Sequence, residues 1–448
     1  MKTNFLVLAA LVMGTLVPAA AAKPAKRFVV TDYGAVADGT TVNTKSIQSA
    51  IDKCASSGGG IVVVPRGTFL SGAIFLKQGV NLLVEKDGVL KGTTNPDDYP
   101  QIQTRWEGTE EMWTSAFINA EGVTGLVLSG EGTIDGNGEE WVQKNPFRRQ
   151  RPAPTGPLGM ADATVPRAPI AAATPETGAV PAPPRRGRPR LIGIQNSKHV
   201  RITGLNLHNQ AVWCLFILYS EDVVAEDLRI TAEHNIPSSD GIDIDSSRHV
   251  HVNRVYIDVD DDCISIKSGK DADGLRVNRP AEDIVIENSH FAYGQGGVAM
   301  GSETSGGIRN VMIRKCVFDS GNWAPIRFKS QPSRGGVVEK ITYRDLTLHQ
   351  TRQAFEFNME WRMVPPVAPP AKVLPVVKDV KIINVSGDVQ TVGFIHGLPG
   401  SPIRGITFKN CHITAEKGFK LDHARGVDLK GLTLEVKQGD PITKTDVE

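Results

Sequence analysis

EDVVAEDLRI, residues 221–230, is a polar pair followed by largely alternating apolar residues, and the chain keeps returning to that phrase. It stands before it as KHVRITGLNL (198–207) and after it as RHVHVNRVYI (248–257), EDIVIENSHF (282–291) and RNVMIRKCVF (309–318). EKITYRDLTL (339–348), KDVKIINVSG (378–387) and RGITFKNCHI (404–413) continue the series, with weaker copies around Val80, Val123 and Val427. The steps run from about 21 to 39 residues, the range of stacked repeats with loops of variable length. Period-two alternation marks a half-buried strand. The fixed Leu and Asn positions of a leucine-rich repeat are missing, and the shorter steps leave no room for the four strands of a propeller blade. The pattern therefore predicts an all-β fold, a single-stranded right-handed parallel β-helix in which each short coil buries its inward residues on the next.

One helix is predicted at the N-terminal end. After Asn43-Thr44, residues Ile47, Ala50, Ile51 and Cys54 share a helical face, and Gly58-Gly59-Gly60 ends the segment. Asn43 or Thr44 is placed to cap its start. A solenoid needs its apolar end covered, so this helix reads as the N-terminal cap.

Further boundaries come from composition. Lys2, the apolar run Phe5 to Val17 and Ala20-Ala21-Ala22 form a secretory signal pattern over residues 1–22, which predicts a secreted or periplasmic protein. The run is shorter than a membrane span needs, so no membrane association is expected once the signal is removed. The mature domain then covers 23–448, interrupted at about 145–190 by a segment dense in Pro, Ala and Arg that reads as an insertion between coils. A net charge of +1 excludes the strong basic field of a nucleic-acid binder. Five cysteines without a CxxC pair, four of them in apolar strand-like runs, read as small buried hydrophobes. Ten histidines without an HExxH spacing leave no metal or cofactor signature. The chain is expected to act as a monomer.

Polar residues concentrate in the middle of the repeats: SSDGIDIDSS (238–247), DDDCISIKSG (260–269), YGQGGVAMGSE (293–303) and IRFKS (326–330). Asp240 and Asp262 are one short coil apart, which sets them on neighbouring rungs ~4.8 Å from each other. Like charges at such distances push carboxyl pKa values apart, keeping one group protonated while another stays ionised. Glycoside hydrolysis needs that pair of states. Arg327 and Lys329 share one strand face, and two cations beside carboxylates suit a substrate that itself carries carboxylates. Asp261 and Asp262 would point to opposite faces of a regular strand, so both serve one site only if the backbone bends there. Asp243, Asp245, Asp258 and Asp260 read as structural turn formers. Arg105-Trp106, Trp113 and Trp213 are candidates for stacking on sugar faces, with Trp213 reading better as core.

Together with VTDYGAVADG (30–39), SIQSAIDKC (46–54), GGGIVVVPRGTF (58–69) and EGTIDGNGEEW (131–141), these motifs make the chain resemble family 28 glycoside hydrolases, the polygalacturonase family. The resemblance implies hydrolysis of α-linked galacturonate in pectin with inversion. It gives Asp261 the acid role, Asp240 and Asp262 the activation of water, and Arg327 and Lys329 the binding of substrate. Lys267 and Gln295 are assigned to substrate binding beside them, a stacking or salt-bridge role being weighed equally for Lys267. Two departures stand out. Ser238-Ser239 replaces the family's Asn-Thr, and Gln295 stands where its histidine is expected. Gln cannot carry a proton near neutral pH, and the rhamnogalacturonan-cleaving branch of the family also lacks that histidine. The alternatives are accordingly a rhamnogalacturonan hydrolase, a calcium-dependent lyase on the same architecture and a non-catalytic sugar-binding solenoid.

Overall fold

A computed structural model describes residues 25–144, 187–362, 364, 366 and 371–448. Nearly all its strands pair in parallel, and successive coils lie over one another along three strand rows. The repeat read from sequence is the register of the first row. Val200 pairs with Val223, Val223 with Val250, Val250 with Ile284 and Ile284 with Val311. Val311 pairs with Ile341, Ile341 with Val380 and Val380 with Ile406. All eight side chains are buried in one continuous core, each contributing about 1.5–3 kcal/mol by leaving water. Aromatic rungs extend the stack, with the Phe328 and Phe357 rings 4.3 Å apart.

The polar pair before each buried residue has a backbone cause. His199, Asp222, His249, Asp283, Asn310, Lys340 and Asp379 all have φ between 52° and 56°. A single left-handed residue turns the chain into the next strand, and short polar side chains such as Asn and Asp tolerate that conformation best. Glycine does the same at Gly79, Gly122 and Gly426, ahead of the three weaker copies. Gly405 does so ahead of Ile406 as well.

The cap forms as the spacing predicts. Thr44–Ser56 is helical and buries Ile47, Ala50, Ile51 and Cys54 completely. Its start differs from expectation, since neither side chain caps it. Asn43 accepts from the Val36 amide at 2.7 Å and donates to the Thr41 carbonyl at 2.7 Å, while Thr44 Oγ1 accepts from the Gly72 amide at 2.7 Å. Both tie the helix to the first coils instead. All five cysteines are buried and free.

The signal read over 1–22 and most of the 145–190 interval lie outside the described residues. The end of that interval is packed structure, with Arg188 and Arg190 both buried. Among the described residues one strand pair leaves the parallel plan: Gln101–Trp106 and Thr109–Thr114 form an antiparallel hairpin. It lies against the third strand row, which runs through Leu215–Leu218, Ile242–Asp245 and Ile264–Lys267. No helix among the described residues is long and apolar enough to cross a membrane.

Candidate active site

The third row supports the polar cluster. Ile242 pairs with Ile264, and Asp240 and Asp262 each stand two residues ahead, at the same place on adjacent rungs. The Gly241 amide donates to the Asp262 carbonyl at 3.0 Å, fixing that stacking. The chain bends at residues 260 and 261 before the strand Ile264–Lys267 begins. The opposite-face rule therefore does not apply, and Asp261 and Asp262 reach the same site. One carboxyl oxygen from each of Asp240, Asp261 and Asp262 lies within 4.8 Å of the other two.

Arg327 and Lys329, at the end of the strand Ile308–Lys329, both reach Asp262. Arg327 Nη1 is 3.2 Å from Asp262 Oδ1, and the Lys329 ammonium holds Oδ2. Ser265 Oγ is 3.2 Å from that same Oδ2. Gly296 makes room for the carboxylate, since a Cβ there would sit 2.4 Å from Asp262 Oδ1. Gln295 serves the bend rather than the carboxylates. Its amide nitrogen donates to the Asp261 carbonyl at 2.9 Å and its side chain donates to the Asp260 carbonyl at 3.2 Å.

This environment separates the three acids. Burial pushes Asp240 well above the usual carboxylate range, and the neighbouring Asp243 and Asp261 charges add to it. Burial also raises Asp261, with Asp262 beside it as the next cause. Burial acts on Asp262 too, but Lys329 and Arg327 outweigh it and hold that carboxyl at about 2. The site thus offers a carboxylate ionised at any working pH next to two carboxyls that retain a proton far more readily. Replacing Lys329 with Met removes the strongest opposing charge, so the Asp262 pKa should rise. The acid limb of the kcat–pH profile is then expected to move to higher pH. A limb in the same place would show that Lys329 does not set the charge of Asp262.

Several neighbours of the cluster were not legible from the sequence. Asp243, expected to be structural, is fully buried, and its Oδ1 lies 3.2 Å from Lys267 Nζ. Burial raises its carboxyl to about 7 despite Lys267. Lys267 also approaches Glu303 at 3.6 Å and lies 4.3 Å from the centre of the Trp213 ring. It braces the wall next to the three aspartates rather than standing free in the cleft. Glu356 takes the other side of Arg327 at 3.0 Å, and Trp361 lies against Arg327 and Lys329 at 4.8 and 5.4 Å. Arg105 is fully buried and pairs with Asp245 at 2.7 Å. Trp106 is sandwiched between Trp113 and Trp213 at centroid distances of 4.7 and 4.8 Å. The stacking surfaces expected for sugar are therefore spent on one another, because the hairpin folds down onto the coil. The one signal that could have found this wall is the pair Trp106 and Trp113 in a nine-residue stretch that opens on Arg105.

Three carboxyl oxygens this close could hold a divalent cation. Both oxygens of Asp262 already face Arg327 and Lys329, so the donor set suits acid–base work better than a cation cage.

A parallel β-helix carrying clustered carboxylates with split proton affinities, flanked by cations, defines a carbohydrate-cleaving enzyme of the glycoside hydrolase class. Residues 178–431 match the model of Glycosyl hydrolases family 28, and the chain belongs to that family. Residues 28–150 match the model described as Rhamnogalacturonase A/epimerase, pectate lyase-like. The chain is 27% identical over 416 residues to a probable polygalacturonase of Vitis vinifera, spanning 90% of this chain and 78% of that one. It is 25% identical over 395 residues to an endo-polygalacturonase of Pectobacterium carotovorum subsp. carotovorum, spanning 86% and 87%. The solved exopolygalacturonase of Thermotoga maritima superposes with a TM-score of 0.74 at 25% identity, over 92% of each chain. The right-handed parallel β-helix and the O-glycosyl hydrolase assignment follow from this family.

Proposed function

We propose that this protein is exported and hydrolyses the α-linked galacturonate backbone of pectin, with Asp261 as general acid and Asp240 and Asp262 activating water. The observation that carries the reading is the split among the carboxyls: Asp262 is held ionised by Arg327 and Lys329, while Asp261 next to it is pushed up by burial. Asp261 gives its proton to the glycosidic oxygen as the bond from that oxygen to the anomeric carbon breaks. Water held by Asp240 and Asp262 adds to the same carbon, and its proton passes to ionised Asp262. The nearest oxygens, within 4.8 Å, are closer than the ~6.5–9.5 Å separation usual for a lone acid and a lone base with water between them. The water is accordingly proposed to sit between Asp240 and Asp262, on the side away from Asp261, which gives inversion. No step needs a second chain.

Support for the substrate comes from the polygalacturonase relatives and from the cationic pair, which suits a polyanionic chain. The rhamnogalacturonan backbone is the second reading, favoured by Gln295 and by the match of residues 28–150. Digestion of polygalacturonate and of rhamnogalacturonan, each followed by reducing-end assay, ultraviolet absorbance and NMR of the first product, tests all parts. The expected result is new reducing ends on polygalacturonate, no unsaturated product, no effect of chelator and a β-anomer first. An unsaturated product that disappears with chelator would establish a lyase, an α-anomer would establish retention, and binding without cleavage would leave a sugar-binding solenoid.

A further inference from the structure

From the catalytic bend a row of residues continues along the solenoid axis. The Gln295 amide donates to the Asp261 carbonyl. Gly294 and Gly296 pair with Asn322 and Ala324, which sets Gln295 against Trp323. Ile326 pairs with Phe355 on the next coil, and Trp323 and Arg352 each stand three residues ahead of these. Asp261, Gln295, Trp323 and Arg352 therefore occupy four successive rungs.

The last two form a unit. The Arg352 guanidinium carbon lies over the Trp323 ring, 3.6 Å from its centre. Trp323 is half-buried and its indole Nε1 is sealed from solvent without a hydrogen-bond partner among the described residues. Arg352 is exposed. Four other surface arginines of the coils are paired with carboxylates: Arg248 with Glu221, Arg254 with Asp227, Arg309 with Glu282 and Arg314 with Glu287. Arg229, over the Tyr256 ring at 4.2 Å, shares the aromatic seat of Arg352 but lies on another strand row, away from the catalytic bend. Among the described residues, no carboxylate lies within salt-bridge distance of Arg352. Its planar fork is held in place by the indole, and its donors are left uncommitted.

Resting on the polyuronide reading above, we infer that Arg352, seated on Trp323, is a further binding point of the cleft that recognises the carboxylate of a uronate sugar beyond the one being split. Three rungs at ~4.8 Å separate the Arg352 and Asp261 backbones, and leaning over Trp323 brings the guanidinium back to about two. That is too far to touch the reacting sugar and within the span of a longer chain. A guanidinium takes a carboxylate in two parallel hydrogen bonds, which an ammonium or an amide cannot do. Arg327 and Lys329 are already partly neutralised by Asp262 and Glu356, whereas Arg352 offers its whole charge to the ligand.

The test is Arg352→Gln, assayed on oligogalacturonates of increasing length and on their methyl esters. Arg352 is exposed, so the variant should fold normally, which circular dichroism checks. The expected result is a loss of kcat/KM that grows with chain length to about tenfold, carried by KM. Methyl esterification should then cost the wild type more than the variant on the long substrates. A loss of the same size at every length, or none at any, overturns the assignment of Arg352. Wild-type protein that cleaves no oligogalacturonate overturns the polyuronide reading itself, a result separate from a wild type that cleaves and a variant that matches it.

Discussion

Asp261→Asn is expected to lower turnover by about 10²–10⁴-fold while the fold stays intact. The loss follows from what the position supplies. Burial first and the Asp262 charge next raise the Asp261 carboxyl, which favours the protonated form that the proposed acid role requires. Asparagine has the same shape and can still accept from the Asp262 amide, which now donates to Asp261 Oδ1 at 3.0 Å. The bend should survive and only the proton is removed. The decisive measurement is kcat at the wild-type optimum beside the melting curve. Activity within tenfold of wild type would move the acid role to Asp240, the other carboxyl that burial raises.

The largest effect on stability is expected from Arg105→Met. Arg105 crosses from the hairpin to the coil and is fully buried, with Asp245 Oδ1 at 2.7 Å and Ser246 Oγ at 2.8 Å. Removing it strands a buried carboxylate, which costs about 3–5 kcal/mol. Pairing it with Asp245→Leu removes both charges and should restore much of the loss, because a buried ion pair is worth little more than apolar packing. Denaturant unfolding of the single and double variants gives the comparison. A single variant as stable as wild type would mean that the hairpin is held by the Trp106–Trp113–Trp213 stack without the ion pair.

How much of this the chain declares in advance depends on distance along it. The coil register was legible because each corner residue immediately precedes the inward Val or Ile it positions. The cap helix was legible for the same reason, its four buried residues lying within one short segment. Asp240, Asp262, Arg327 and Lys329 could be placed together because strand pairing fixes their rungs. The bend at 260–261 could not, since nothing local distinguishes it from a strand with two aspartates. Asp243, read as a structural turn former, lies instead within the strand Ile242–Asp245, and Arg105 was read amiss because its partner comes from elsewhere in the chain. Asp243 is buried beside Lys267 of the next coil and near Arg190, two coils before, and Arg105 meets Asp245 only because a hairpin folds back onto the stack. Contacts of that kind leave no spacing for a periodic reading to detect.

The uniform corners have a consequence for folding. Eight nearly equivalent Val or Ile positions, each entered through the same left-handed residue, make neighbouring coils almost interchangeable as templates. A strand that docks one coil too early buries the same kind of side chain and keeps its ladder of hydrogen bonds, so secondary structure alone barely penalises the slip. The aspartates and cations are not interchangeable, because they come together only when the coils of Asp240, Asp262, Gly296 and Arg327 follow one another without omission. Glycoside cleavage is therefore a phase marker for this solenoid: a refolded sample with native circular dichroism but low specific activity would contain chains stacked out of step.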